Sequence, residues 1–274
     1  MRVLICVPSK GRPYDFEKKM LTWLSGVGIP YKVFVEEQDF IYYKQVAGKD
    51  SVIPLKKDDM GIGYCARAYS EYAVAWGYDL IWRIDDDTRG FTSKAIGNGR
   101  SGYTKEIMHN ILDDVLPDFE KYENLGAVRF LHSKYSIYEA IGKNRKYTHL
   151  DDELFNARII KPELEGLLNE NITTAEDACL SVLVRDAKQH ILTYGRSGIN
   201  SEVNRNTGGF NMMDRAEMTK ATHKYIVKRF PKIELRENKT WFGLDLNVMP
   251  YLDKIVLKDG EHEKYLMTRK AIQK

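Results

Sequence analysis

Cysteine is scarce in this chain. Cys6, Cys65 and Cys179 are the only three, far apart, in apolar surroundings and without a CxxC or Cys/His spacing. That excludes a disulfide-framed scaffold and a zinc ribbon, and it suits buried reduced thiols in a reducing compartment. Long apolar runs are also missing. No stretch approaches the roughly 20 residues that span a bilayer, and the opening MRVLICVPSKGRP is too short and too soon interrupted for a secretory signal, so a cytoplasmic protein is expected. Neither blocks of like charge nor low-complexity tracts occur, which argues against a long disordered tail. None of the six histidines forms a metal-like pair: His109 and His132 read as structural, while His190 and His223 are the two to examine as a further metal ligand.

The charges nearly cancel. With 42 Lys and Arg against 39 Asp and Glu the net charge is +3, which permits a polyanionic partner without demanding one. The 274 residues, 43% hydrophobic, suffice for a large core in one domain.

RVLICVP is a continuous apolar run ending in the turn-forming SKGRP, as expected of a buried strand feeding a loop, and YDFEKKMLTWLSGVG follows with helical spacing. YKVFVEE, SVIPL and DLIWRID read as further strands, and GIGYCARAYSEYAVAWG as a buried helix before the last of them. Beyond lie an expected loop (TRGFTSKAIGNGRSGY) and a helix around TKEIMHNILDDVLPDFEKY that Pro117 kinks or ends. Strands are expected at GAVRFLH, ELFNARIIK and QHILTYG. TTAEDACLSVLVRDAK has the pattern of a Thr-capped helix, and a basic amphipathic helix with short strand-like pieces makes up the C-terminal part. Alternating strands and helices predict an α/β fold, a doubly wound, mostly parallel, Rossmann-like sheet.

In such a sheet ligands bind beyond the carboxyl ends of the strands. Four polar loops then share one crevice: Pro8-Ser9-Lys10-Gly11-Arg12, Glu36-Glu37, Gly61 to Arg67, and Asp85-Asp86-Asp87. An isolated DDDT reads more readily as an acidic turn than as a metal site. At the end of an apolar strand, however, adjacent carboxylates need a compensating cation, and hard oxygen ligands at this density suit Mg²⁺ or Mn²⁺ bound together with a diphosphate.

VPSKGRP, an acidic second strand end and an apolar strand ending in DxD together resemble the glycosyltransferase A fold, whose DxD motif binds a divalent metal and a nucleotide sugar. About 90 residues on, Ala175-Glu176-Asp177 looks like the xED motif from which inverting members take their base. VFVEEQDF, IPLKKDDMGIGYCARAYS, WRIDDDTRGF and the later NTGG narrow the resemblance to the TET-associated glycosyltransferases of phages and the kinetoplastid base J glucosyltransferase, which glycosylate hydroxymethylated pyrimidines in DNA. The general resemblance covers residues 1–210, the expected donor-binding and catalytic core, with 211–274 an extension packed on the same domain.

That resemblance implies roles. Asp87 ligates the metal; Asp85 approaches the metal or the ribose; Asp86, by strand alternation, points away. Pro8, Ser9, Lys10 and Arg12 face the nucleotide, Glu36 or Glu37 its base or ribose, Arg67 the nucleotide or the aspartates, and Gly208 and Gly209 the donor sugar or diphosphate. Asp177 is the general base and Glu176 holds the acceptor or supports the base, although acidic residues also favour a helix N-terminus for structural reasons alone. The donor implied is a nucleotide sugar, UDP-linked, with Mn²⁺ or Mg²⁺. A duplex DNA partner needs cations such as Lys143, Arg145, Lys146 and Arg196, with Lys224, Lys228, Arg229 and Lys232 further along, all equally readable as solvated surface. Such an enzyme works in the host cytoplasm if phage-encoded. A glycan, lipid-carrier or protein acceptor is the alternative.

Overall fold

The computed structural model describes residues 1–93, 105–132, 146–150, 154, 157–201, 212–231, 233–238, 241–245, 255–256 and 262–263. The expected residues Lys143, Arg145, Gly208, Gly209 and Lys232 lie outside them.

Nine strands form one sheet: β1 (Val3–Ser9), β2 (Tyr31–Val35), β3 (Val52–Pro54), β4 (Leu80–Ile84), β5 (Thr88–Ser93), β6 (Leu125–His132), β7 (Tyr147–Leu150), β8 (Ala157–Ile160) and β9 (His190–Ser201). Their order is β3-β2-β1-β4-β8-β6-β9-β5, with β7 also paired to β9. β3, β2, β1 and β4 run parallel, as do β6 and β9. Between the two groups sits β8, antiparallel to both neighbours.

Alternation along the strands explains their continuous apolar character. Val3, Ile5 and Val7 of β1 and Leu80, Trp82 and Ile84 of β4 face one core, with Phe16, Met20 and Val115 from helices on that side. Leu4, Cys6 and Ile81 face the other, with Tyr69, Leu180 and Ile226. Helices therefore cover both faces, as in a doubly wound fold. All three cysteines are buried thiols, and burial pushes Cys65 up to about 12.

TRGFTS is a strand, β5, not a loop: it pairs antiparallel with β9. The helix Lys105–Lys121 runs through Pro117, with Val115 and Phe119 seated in the core on either side of it. The helix Phe40–Ala47 had no periodicity to announce it, because Tyr43 is its one buried residue. Hairpin strands Glu234–Asn238 and Trp241–Asp245 follow the helix Met212–Arg229.

Helix Ile62–Ala75 begins after Gly61 at φ +79°, a left-handed backbone that glycine adopts without strain. Its first amides, of Ile62 and Gly63, donate to the carbonyls of Thr173 and Ile172. A Cβ on Gly63 would stand 2.3 Å from the Asn169 carbonyl oxygen, so the helix lies directly against the backbone that leads to Glu176.

Candidate active site

The carboxyl ends of β1, β2 and β4 open on one edge of the sheet. The loop after β1 is stapled down: the Tyr43 hydroxyl lies 2.5 Å from Ser9 Oγ and accepts from the Arg12 amide, and Asp39 accepts from the Gly11 amide at 2.7 Å. Lys10 Nζ sits between Glu36 (2.8 Å) and Asp59 (2.5 Å). Glu36 is buried, and its other partners are the Gln38 side-chain amide and the Asp59 backbone amide. Lys10 and Glu36 therefore satisfy each other within the protein.

Each aspartate after β4 is held differently. Asp85 pairs with Arg83 at 2.7 Å. Burial pushes its carboxyl well above the usual range, the guanidinium opposing the shift and Asp87, Glu176 and Asp177 adding to it. Asp86 is buried on the first loop, accepting from Ser9 Oγ and from Arg12 Nη2 at 2.6 Å. Burial brings it up to about 6, against the pull of Arg12 and Ser9. Asp87 is raised too, first by burial, and its Oδ1 is buried with no hydrogen-bond partner.

On the facing side, helix Glu176–Asp186 starts at Ala175, whose φ of +51° is strained for a residue with a Cβ. No threonine side chain caps it, contrary to expectation: the hydroxyls of Thr173 and Thr174 instead meet those of Thr222 and Thr219 on the helix Met212–Arg229.

The two motifs meet through Arg83. Its guanidinium bonds Asp85 and also Glu176 at 2.8 Å, with Asp177 at 3.8 Å. Arg158, directly across the β4–β8 ladder, donates to Asp177 at 2.6 Å and grips Glu165 with two nitrogens, at 2.5 and 2.9 Å. Tyr69 donates to the same Glu165. Although burial works to raise the Glu165 carboxyl, Arg158 and Tyr69 bring it below its ordinary value.

None of Arg83, Arg158, Glu165, Tyr69 or Tyr43 was singled out from sequence. The available signal was a charged residue inside an apolar strand: IWRID, NARII and AVRFL each carry one, and Arg83, Arg158 and Arg129 stand in register across β4, β8 and β6. Arg67, by contrast, points to solvent, 61% exposed and paired with Glu71. Position 67 lies off the buried stripe of its helix, so Arg83 rather than Arg67 backs the aspartates.

The expected duplex contacts divide. Lys146 bonds Asp118 at 2.7 Å and Arg196 bonds Asp114 at 2.9 Å, each acid also taking a tyrosine hydroxyl, from Tyr147 and Tyr194 respectively. Lys224, Lys228 and Arg229 are exposed. His109 is structural, on the Val27 carbonyl. His190 is fully buried, and His223 is buried with both ring nitrogens unpartnered, its pKa lowered by burial.

Among the described residues no three Asp, Glu, His or Cys side chains converge to cage a metal. Two carboxylates suffice, however, for a cation that arrives with a diphosphate and completes its shell from phosphate oxygens and water. The orphaned Asp87 Oδ1 and the raised Asp85 fit that donor set.

A family model for TET-associated glycosyltransferases matches residues 3–209. The chain belongs to the TET-associated glycosyltransferase family. The family span takes in β1 to β9 and every aspartate, glutamate and arginine of the site just described. No curated protein matches the chain. Among solved structures it is similar to a mycobacterial protein, at 10% identity and a TM-score of 0.48, over 89% of this chain and 83% of the other. It is also similar to a mannose-1-phosphate geranyltransferase from Thermus thermophilus (11%, TM-score 0.45, 73% and 76% covered). A third is a 4-diphosphocytidyl-2C-methyl-D-erythritol synthase from Anaerococcus prevotii (8%, TM-score 0.43, 82% and 96% covered). In this glycosyltransferase no helix among the described residues is long and apolar enough to cross a membrane.

Proposed function

We propose that this glycosyltransferase moves a sugar from a nucleotide sugar, UDP-linked, onto the hydroxymethyl group of a modified pyrimidine in DNA, with inversion. The observation that supports the reading most is the Arg83 bridge, which holds Asp85 from the strand end and Glu176 from the helix start on one guanidinium. Donor-side and acceptor-side carboxylates are thereby kept within reach of a single reacting centre.

In this reading Asp177 takes the proton of the acceptor hydroxyl. The freed oxygen forms a bond to the anomeric carbon as the bond from that carbon to the phosphate oxygen breaks. The nucleoside diphosphate leaves with the electron pair, and a single displacement inverts the centre. Asp85 and Asp87 hold Mn²⁺ or Mg²⁺, which when bound supplies Lewis-acid stabilisation of the departing diphosphate. The stapled loop Pro8 to Arg12 offers the nucleotide a fixed edge, and the family resemblance assigns Gly208 and Gly209 to the donor. Residues 1–210 carry the chemistry. Residues 211–274 are read as an extension of the same domain, of which the helix Met212–Arg229 places Ile226 in the second core.

The test is incubation with Mn²⁺ or Mg²⁺, a panel of nucleotide sugars, and duplex DNA with or without 5-hydroxymethylcytosine or 5-hydroxymethyluracil, followed by nucleoside mass measurement. A sugar-sized gain on a hydroxymethylated base, lost in Asp87→Ala and Asp177→Ala, is expected. A second reading, a glycan, lipid-carrier or protein acceptor, is favoured by the pairing of Lys146 and Arg196 with Asp118 and Asp114. Nucleotide release without any gain on DNA would select it.

A further inference from the structure

We propose that Arg158 is a positioning residue for transfer, with Glu165 and Tyr69 as its anchor. The inference rests on the transferase reading above and adds to it a part that neither motif contains.

Arg158 and Glu165 are both fully buried, whereas the Asp177 side chain is 20% exposed. The cluster therefore has a buried end and an open end. At the buried end Glu165 takes Arg158 Nε and Nη2 in a fork and the Tyr69 hydroxyl on one of the same oxygens. A two-nitrogen fork fixes the guanidinium plane as well as its distance. The remaining Nη1 is then aimed, and it meets Asp177 Oδ1 at 2.6 Å. The backbone of Arg158 is fixed as well, since β8 is laddered on both sides, to Arg83 and to Arg129.

Stability alone gives no reason for this cluster. A buried ion pair is matched or bettered by apolar side chains of similar volume, such as those at Ile159 and Ile160 beside it. What an apolar residue at 158 cannot do is hold a partly exposed carboxylate in one orientation. A second brace serves the same carboxylate's helix: Ser181 Oγ donates to the Asp177 carbonyl at 2.6 Å and accepts from the Leu154 amide at 2.8 Å. With Ala175 in a left-handed conformation and no side-chain cap, the first turn of this helix is held by such contacts rather than by its own end. Arg158 thus acts on the reaction through Asp177.

The experiment compares wild type, Arg158→Lys and Tyr69→Phe for kcat of sugar transfer, KM and directly measured Kd of the nucleotide sugar, and thermal midpoint. Lys at 158 keeps the charge but cannot fork Glu165 and reach Asp177 together. Tyr69→Phe leaves the ion pairs in place and removes one anchoring hydroxyl, so it decides the matter if Arg158→Lys does not fold. Expected is a fall in kcat of about 10- to 100-fold for Arg158→Lys and a smaller fall for Tyr69→Phe, with the donor Kd within about twofold of wild type. A merely structural cluster would lower the thermal midpoint and leave kcat per folded molecule unchanged, and that overturns the assignment. So does a donor Kd that weakens in step with kcat. A wild type that turns over no nucleotide sugar overturns the transferase reading, and the assignment falls with it, whereas a transferring wild type matched by both variants overturns the assignment alone.

Discussion

Arg83 and Arg158 stand opposite one another in the β4–β8 ladder, and both face Oδ1 of Asp177, at 3.8 and 2.6 Å. Like charges on adjacent rungs repel. The arrangement holds because Asp85, Glu176 and Glu165 surround the pair, and in holding it ties Arg83 to Glu176, 93 positions along the chain.

Removing the bridge exposes what it offsets. Arg83→Met leaves Asp85, Glu176 and Asp177 facing one another, and urea unfolding is expected to show a loss of about 3–5 kcal/mol, as for a broken buried pair. Arg83→Lys keeps the charge and is expected to recover part of that stability while transferring more slowly than wild type.

Gly63 tests the close approach of two backbones. An alanine there would meet the Asn169 and Ile172 carbonyl oxygens at 2.3 and 2.5 Å, atoms that cannot rotate away. Gly63→Ala is expected to cost about 1–3 kcal/mol in urea unfolding. Gly26→Ala, on an open helical surface with nothing within 4 Å, is expected to add about 0.5–1 kcal/mol.

The depressed Glu165 carboxyl gives a sign for acid sensitivity. Its folded pKa lies below the unfolded one, so its contribution is present above the ordinary glutamate value and is lost as pH falls through the folded value. The stability gap between wild type and Glu165→Gln is therefore expected to be widest at neutral pH and to close below about pH 4.5. Urea titrations of both proteins between pH 7 and pH 3 measure it.

Cations already committed to carboxylates contribute little to a phosphate backbone. Lys146→Ala and Arg196→Ala are expected to change the salt slope of DNA binding by well under one unit. Lys224→Ala or Lys228→Ala, on an exposed helix face, is expected to reduce it by up to about one each. Fluorescence anisotropy on a labelled duplex over a salt series reads the difference.

The legible parts of the molecule were those where one residue type has one physical meaning. Continuous apolar runs gave β1, β2 and β4, and their parallel pairing followed from the helices between them. The aspartates stood out as adjacent acids at the end of an apolar strand, and Glu176-Asp177 through their resemblance to the xED motif; Arg83 bonds a carboxylate of each. β5 was missed because TRGFTS carries Gly and polar residues, and only its pairing with β9 makes it a strand. Arg83 and Arg158 were missed for a different reason. A charge in the middle of a strand acquires meaning only when the facing carboxylates are known, and Glu165 and Asp177 come from elsewhere in the chain.

The backbone bonds from Ile62 and Gly63 to Thr173 and Ile172 join the same two halves that Arg83 joins by charge. The strand-end aspartates and the start of the helix Glu176–Asp186 are thus held to each other twice, once through backbone and once through charge. Cutting the charge link alone, as in Arg83→Met, therefore leaves the backbone link between them in place.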